Sequence, residues 1–160
     1  MRIEEGDLVL EAGEVLIRPG IFTRQPGDPM PHLLGRKCQD CGDVSFPPYR
    51  HCLVCGSEKE TVEVVLGNGA VLLGYTVARQ VMPGFVPGYI LAKVRMKDDP
   101  TLVVTAQLVD VKEEDVEVGM DLVMVPRVIR ELPSGEKVVS YCFRPADPAR
   151  VTAAKGGESP

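Results

Sequence analysis

Tryptophan is absent from this chain, and its 160 residues include only four phenylalanines, four tyrosines and two histidines. A surface that holds single-stranded nucleic acid stacks bases on aromatic rings inside a basic groove. Here rings are scarce and the basic excess is missing: net charge is −5, and residues 62–145 hold nine Lys/Arg against eleven Asp/Glu. Nucleic-acid binding is therefore not expected. Neither His32 nor His51 has an evident carboxylate or thiol partner, which removes the usual general base. No Gly-x-Gly-x-x-Gly or Walker loop occurs, since Gly67-Asn68-Gly69 sits within strand-like runs and lacks a following helix. No apolar run approaches the roughly 20 residues that cross a bilayer. The start, Met1-Arg2-Ile3-Glu4-Glu5-Gly6, has no apolar stretch behind a basic one and does not read as a signal peptide. These absences lead to the expectation of a cytoplasmic protein that is non-catalytic on its own.

Cysteine is where the chain is rich. Cys38-Gln39-Asp40-Cys41-Gly42 and Cys52-Leu53-Val54-Cys55-Gly56 are two copies of one pattern, ten residues apart. A two-residue spacer lets both sulfurs of a tight turn reach one ion, and two such turns close a tetrahedron. Gly42 and Gly56 suit the φ > 0 usually needed on leaving such a knuckle. Cys38, Cys41, Cys52 and Cys55 thus read as ligands to one structural Zn²⁺, with no coordination position left for water or substrate. Iron suits the same tetrahedral sulfur set. Two disulfides would fit an oxidising compartment, for which the N-terminus gives no sign. A redox pair would place Cys-x-x-Cys at a strand-to-helix junction, whereas Pro47 and Pro48 follow here and no helix pattern does.

In chain order, residues 1–31 read as an arm. Leu8-Val9-Leu10 and Val15-Leu16-Ile17 suggest a short hairpin turning at Gly13, and the proline-rich run from Pro19 to Pro31 suggests an extended connector. Residues 32–61 form the zinc module, too short to fold on buried surface alone. Residues 62–145 show period-two or continuous apolar runs broken by turn residues. Expected strands are Val62–Leu66 running through a glycine bend into Ala70–Ala78, then Tyr89–Met96, Leu102–Val109, Leu122–Arg130 and Lys137–Phe143, with one helical turn at Lys112–Asp115. The fold class is mainly β, a rubredoxin-like ribbon followed by a five-stranded OB-type barrel, with a small open sandwich as the alternative. Residues 146–160 read as a loose tail. Cys142, between Tyr141 and Phe143, reads as a small core residue, and Glu113-Glu114-Asp115 as a solvated turn.

Taken together, Gly35-Arg36-Lys37-Cys38 through Gly42, Phe46-Pro47-Pro48, Cys52 through Ser57, Gly69 through Val77 and Pro83 through Tyr89 resemble the zinc-ribbon OB-fold proteins once classed as a domain of unknown function. The resemblance spans about residues 33–145. It implies a small accessory subunit of acyl-CoA enzymes, chiefly thiolases, with enoyl-CoA hydratases or aldolases as other partners; one class is the small subunit of benzoylsuccinyl-CoA thiolase. The catalytic residues would lie in a larger partner chain of a hetero-oligomer, and a CoA thioester would sit near the interface. Phe46, Pro47, Pro48 and Tyr49, with Phe85, Val86 and Tyr89, become the expected docking residues. Arg36, Lys37 and Arg50 become the expected contacts to CoA phosphates. Many relatives carry a helical pair before the first knuckle, and residues 1–31 do not read that way.

Overall fold

A computed structural model describes residues 3–5, 8–24 and 30–152. Twelve strands follow in order: β1 Ile3–Glu5, β2 Leu8–Leu10, β3 Glu14–Leu16, β4 Phe22–Arg24, β5 Pro31–Lys37, β6 Val44–Ser45, β7 Val62–Gly67, β8 Gly69–Ala78, β9 Tyr89–Met96, β10 Val103–Leu108, β11 Asp121–Glu131 and β12 Lys137–Pro145. The only helical pieces among the described residues are 3-10 turns at Glu113–Asp115 and Pro148–Arg150. No helix among them is long and apolar enough to cross a membrane.

Strict alternation explains the second half. In β9 every other side chain is buried, Ile90, Ala92, Val94 and Met96 on one face, with exposed Lys93, Arg95 and Lys97 in the other phase. A strand with one apolar and one polar face must lay the first on a core. Strands β8, β9, β10, β12 and β11 do so by closing into a barrel. β8 runs antiparallel to both β9 and β11, and the circuit is completed by a parallel pairing of β10 with β12, Gln107 opposite Cys142 and Leu108 opposite Phe143. Four antiparallel contacts and one parallel closure form the five-stranded OB arrangement. Inside lie Leu72, Val94, Met96, Met124 and Phe143, all fully buried. Cys142 is fully buried as well, and burial pushes its thiol up to about 12.

The strand at Val62–Gly67 departs from expectation. It is the last strand of the ribbon sheet and pairs along β5, with Val64 opposite Gly35 and Val62 opposite Lys37; it is not the first part of a bent barrel strand. The apolar alternation of β7 is the same whichever sheet it joins, so periodicity alone assigns it to neither.

The arm departs further. Its two strand-like runs do not pair with each other: β2 pairs with β1, Ile3 opposite Leu10, while β3 runs parallel to β12, Val15 opposite Val138. The connector that follows is itself paired, Phe22 opposite Leu33 in the ribbon sheet, with Ile21 and Phe22 buried. Residues 25–29 of that connector lie outside the described residues. Start of the tail is anchored, because Thr152 N–H donates to the Asp110 carbonyl at 2.7 Å and Asp147 caps Ala149; residues 153–160 lie outside the described set.

Three outcomes are expected from this core. Phe143→Ala should cost about 3–5 kcal/mol in chemical denaturation, since it empties a fully enclosed site. Cys142 should resist alkylation in the native protein. Its neutral thiol favours the folded state below the unfolded value near 9.0. That contribution should fade as pH rises from there towards about 12, read as a falling denaturation midpoint over the alkaline range.

Candidate metal centre and its flanking surface

Each knuckle hangs from the end of a paired segment. The first follows β5 and returns as β6, with Lys37 opposite Val44, and Cys38 N–H donates to the Asp43 carbonyl at 2.8 Å. The second is closed by an isolated antiparallel bridge between His51 and Glu60. His51 is therefore a backbone partner, and His32 lies on β5 opposite Thr23; neither is among the clustered ligands.

Four sulfurs converge at the two tips. Cys38 and Cys55 Sγ are 3.6 Å apart, Cys41 and Cys52 Sγ are 3.7 Å apart, and all four lie within 4.8 Å of one another. Tetrahedral Zn–S bonds of about 2.3 Å require sulfurs about 3.8 Å apart. Backbone N–H groups of Asp40 and Val54 point at Cys38 and Cys52 Sγ, each at 3.4 Å. Gly42 and Gly56 have φ of 77° and 66°, the left-handed turn each chain needs on leaving.

The donor set has the electrostatics of a cation site. N–H groups of Cys41 and Asp40 hold the Cys38 thiol down to about 6. At Cys41 the N–H of Asp43 pulls the same way, yet desolvation and neighbouring thiols outweigh it and push that thiol up to about 12. Sulfurs this close cannot all ionise unless a positive ion sits among them. The four cysteines suit one structural zinc ion, held with no position open to substrate.

Polar links bind the knuckles to each other. Lys59 first, and the Ser57 hydroxyl second, hold the Asp40 carboxyl below its usual range, and Gln39 Nε2 donates to the Glu60 carbonyl at 2.7 Å. Thr61, which sequence reasoning passed over, is the hub. It is 3% exposed, and its hydroxyl accepts from Arg36 Nε at 2.7 Å while donating to the Tyr49 and Arg50 carbonyls. Arg36 also reaches the Thr61 carbonyl and Glu63, and Arg50 makes two bonds to Glu60.

Arg36 and Arg50 line one cleft of about 410 Å³ together with Arg18, Glu60 and Glu63. Lys37 does not line it. Arg18, from the arm, supplies the third guanidinium; it donates to the Pro48 carbonyl at 2.9 Å and lies over the Tyr49 ring at 5.4 Å.

The apolar side chains separate in the fold. Phe46 turns inward, its ring edge-on to Tyr141 of β12 at 5.0 Å, with Pro47 and Pro48 half-buried behind it. Tyr49 stays exposed. Phe85 and Tyr89 pack against each other at 5.7 Å with their rings tilted by 37°, Arg130 of β11 lies over Phe85 at 5.1 Å, and Val86 is exposed. The most outward apolar pair near the metal is one the sequence reading did not select: Leu53 and Val54, 74% and 70% exposed at the tip of the second knuckle. The signal was present in the contrast with polar Gln39-Asp40 at the equivalent place in the first knuckle.

Zinc analysis should return one ion per chain. Cys52→Ser, which exchanges a buried thiolate, should lower zinc retention at least tenfold under competition with a chromophoric chelator. With metal stripped, four thiols should become reactive while the fifth, Cys142, waits for unfolding. Acidification should release the ion as the thiolates protonate, measured by the same chelator.

Residues 30–61 match the model of the ChsH2 rubredoxin-like zinc ribbon domain. A DUF35 domain-containing scaffold protein of Pyrococcus furiosus is 38% identical over 116 residues, covering 71% of this chain and 82% of that one. Its namesake in Methanocaldococcus jannaschii is 30% identical over 114 residues, covering 70% and 79%. Among solved structures, a chain of the Ltp2-ChsH2(DUF35) aldolase is similar with a TM-score of 0.57 and 25% identity, covering 72% of this chain and 86% of that one. With its ribbon, its closed barrel and these relatives, the chain belongs to the DUF35 family.

Proposed function

We propose that this chain is a non-catalytic scaffold subunit that docks on a separate enzyme of acyl-CoA chemistry, with a thiolase as the partner. The observation that carries the reading is Leu53 and Val54, held outward on a metal-fixed turn. Exposed apolar side chains on a rigid tip are favoured anchors, because little ordering remains to be done on binding. Full burial of each contributes about 1.5–3 kcal/mol. Tyr49 lies in the loop just before the same knuckle, and Phe46, Pro47 and Pro48 set its position; Phe85, Val86 and Tyr89 form a separate apolar loop on the barrel. The described residues assemble no nucleophile with a base, and Cys142 is sealed in the core.

In this reading Arg36 and Arg50, joined by Arg18, face CoA phosphates across the interface. The cleft sets three guanidiniums against the carboxylates of Glu60 and Glu63, which leaves one positive charge over. Lys37 is exposed outside the cleft, so its contact to phosphate would need the partner's surface to reach it. An aldolase is the second reading of the partner, favoured by the likeness to a chain of the Ltp2-ChsH2(DUF35) aldolase.

Co-expression with a thiolase or with an aldolase from the same genome, followed by size exclusion, tests this. One of the two should co-elute, and thiolysis or retro-aldol cleavage of an acyl-CoA should appear only in the complex. Leu53→Glu with Val54→Glu should weaken co-elution at least tenfold while zinc content stays at one. Thiolysis by the isolated chain, or a complex indifferent to these substitutions, would overturn the reading.

A further inference from the structure

The barrel carries a second surface with a different chemistry. Strands β8, β9 and β10 contain no aspartate or glutamate, and their only charged residues are Lys93 and Arg95, in a chain of net charge −5. Both are exposed and, among the described residues, neither enters an ion pair. Cations just beyond these positions are paired: Arg79 with Glu113 at 3.5 Å and Lys97 with Asp121 at 2.7 Å. The two free cations therefore stand where the fold has placed no counter-charge.

Beside them the surface is concave. The register slips between Leu72 and Gly74, making a bulge at Leu73. Gly74, opposite Lys93, has nothing within 4 Å of where a Cβ would sit. The result is a groove of about 370 Å³ lined mainly by apolar atoms of Leu73, Tyr75 and Leu91, with Lys93 and Thr105 at its side. Cross-strand rows give the order along β9: Arg95 between Val71 and Val103, Lys93 between Gly74 and Thr105, Leu91 between Thr76 and Gln107. Successive positions on one face of a strand are about 7 Å apart.

We propose that this face binds an extended segment of a protein partner that bears carboxylates at alternate positions followed by an apolar side chain. The two carboxylates meet Arg95 and Lys93, and the apolar side chain enters the groove at Leu73, Tyr75 and Leu91. An extended peptide repeats its side chains with the same two-residue period, so charge and spacing match together. A second copy of this chain fits poorly, since a two-fold contact through this face would set Lys93 and Arg95 against their own copies. Single-stranded nucleic acid finds two rings on these strands, Tyr75 and Tyr89, and Tyr89 already packs against Phe85. The loops at the barrel mouth that serve such ligands are held together, Glu131 N–H bonding the Gly84 carbonyl and Arg130 covering Phe85. This surface is separate from the knuckle tip and does not depend on the partner's being a thiolase.

The test uses the full zinc-loaded chain and a fluorescein-labelled peptide, Leu-Ser-Glu-Ser-Glu-Ser-Leu, which reads alike in either direction. Anisotropy should give micromolar binding that weakens with salt, and at least tenfold weaker binding of the counterpart with Lys for Glu. Lys93→Glu with Arg95→Glu should reduce binding at least tenfold. Gly74→Val, which fills the groove at a position without a left-handed φ, should do the same, while Lys112→Glu outside these strands should change it less than twofold. Amide shifts on the labelled protein should move along β8–β10, and Leu53→Glu should leave them in place. Equal binding of the acidic and basic peptides, tighter binding of an oligothymidylate, or indifference to both the charge and the Gly74 substitutions would overturn the proposal.

Discussion

Four sulfurs that cannot all ionise alone must nevertheless share a sphere a few ångströms across, and much of the ribbon follows from that demand. The segment from β5 to β7 has few fully buried side chains near the knuckles, chiefly Cys38, Cys52 and Thr61. An ion is what converts repulsion among clustered thiolates into cohesion. Once the tips are fixed, Thr61 is fixed, and its hydroxyl holds the Tyr49 and Arg50 carbonyls while Arg36 grips it from β5. The metal thus governs the loop it does not touch. The Phe46 ring on Tyr141 carries that order across to the barrel.

Ribbon and barrel are also joined by the arm. β3 lies on β12 of the barrel and β4 lies on β5 of the ribbon, with Ile21 and Phe22 buried at the ribbon end. Arg18 sits between them and bonds the Pro48 carbonyl. Backbone pairing at both ends makes this stretch a brace. Its three-residue strands owe their order to partners far along the chain, since segments so short have little stability of their own.

That distance explains what could and could not be read in advance. The Cys-x-x-Cys-Gly repeat announced the metal centre because its constraint is local: two spacers and two glycines. The barrel strands were legible because one buried face imposes a period of two, and β9 keeps it without a break. The membership of Val62–Gly67 was not, because its alternation suits either sheet. The pairing of the arm was not, because Leu8–Leu10 and Val15–Ile17 look like neighbours in a hairpin until a free edge on β12 competes for one of them. The exposure of Leu53 and Val54 was hidden by treating the residues between ligands as mere spacers. Of the basic trio read from the knuckles, Arg36 and Arg50 share a cleft and Lys37 does not, because alternation along β5 turns neighbouring side chains to opposite faces. The cleft's third cation, Arg18, was invisible to any reading confined to the ribbon.

The parallel pairing of β3 with β12 has a consequence for the order in which the molecule is made. Glu14 meets Lys137, so a strand made early waits for one made much later along the chain. Contacts of such long sequence separation form late, after the loop they close has been shortened by other structure. The knuckles, by contrast, close over fewer than twenty residues. Closure of the ribbon is therefore local, whereas β3 docks only when β12 is in place. A chain cut before β12 would hold a ribbon whose arm lacks its barrel partner, so β12 is what fastens β3 down.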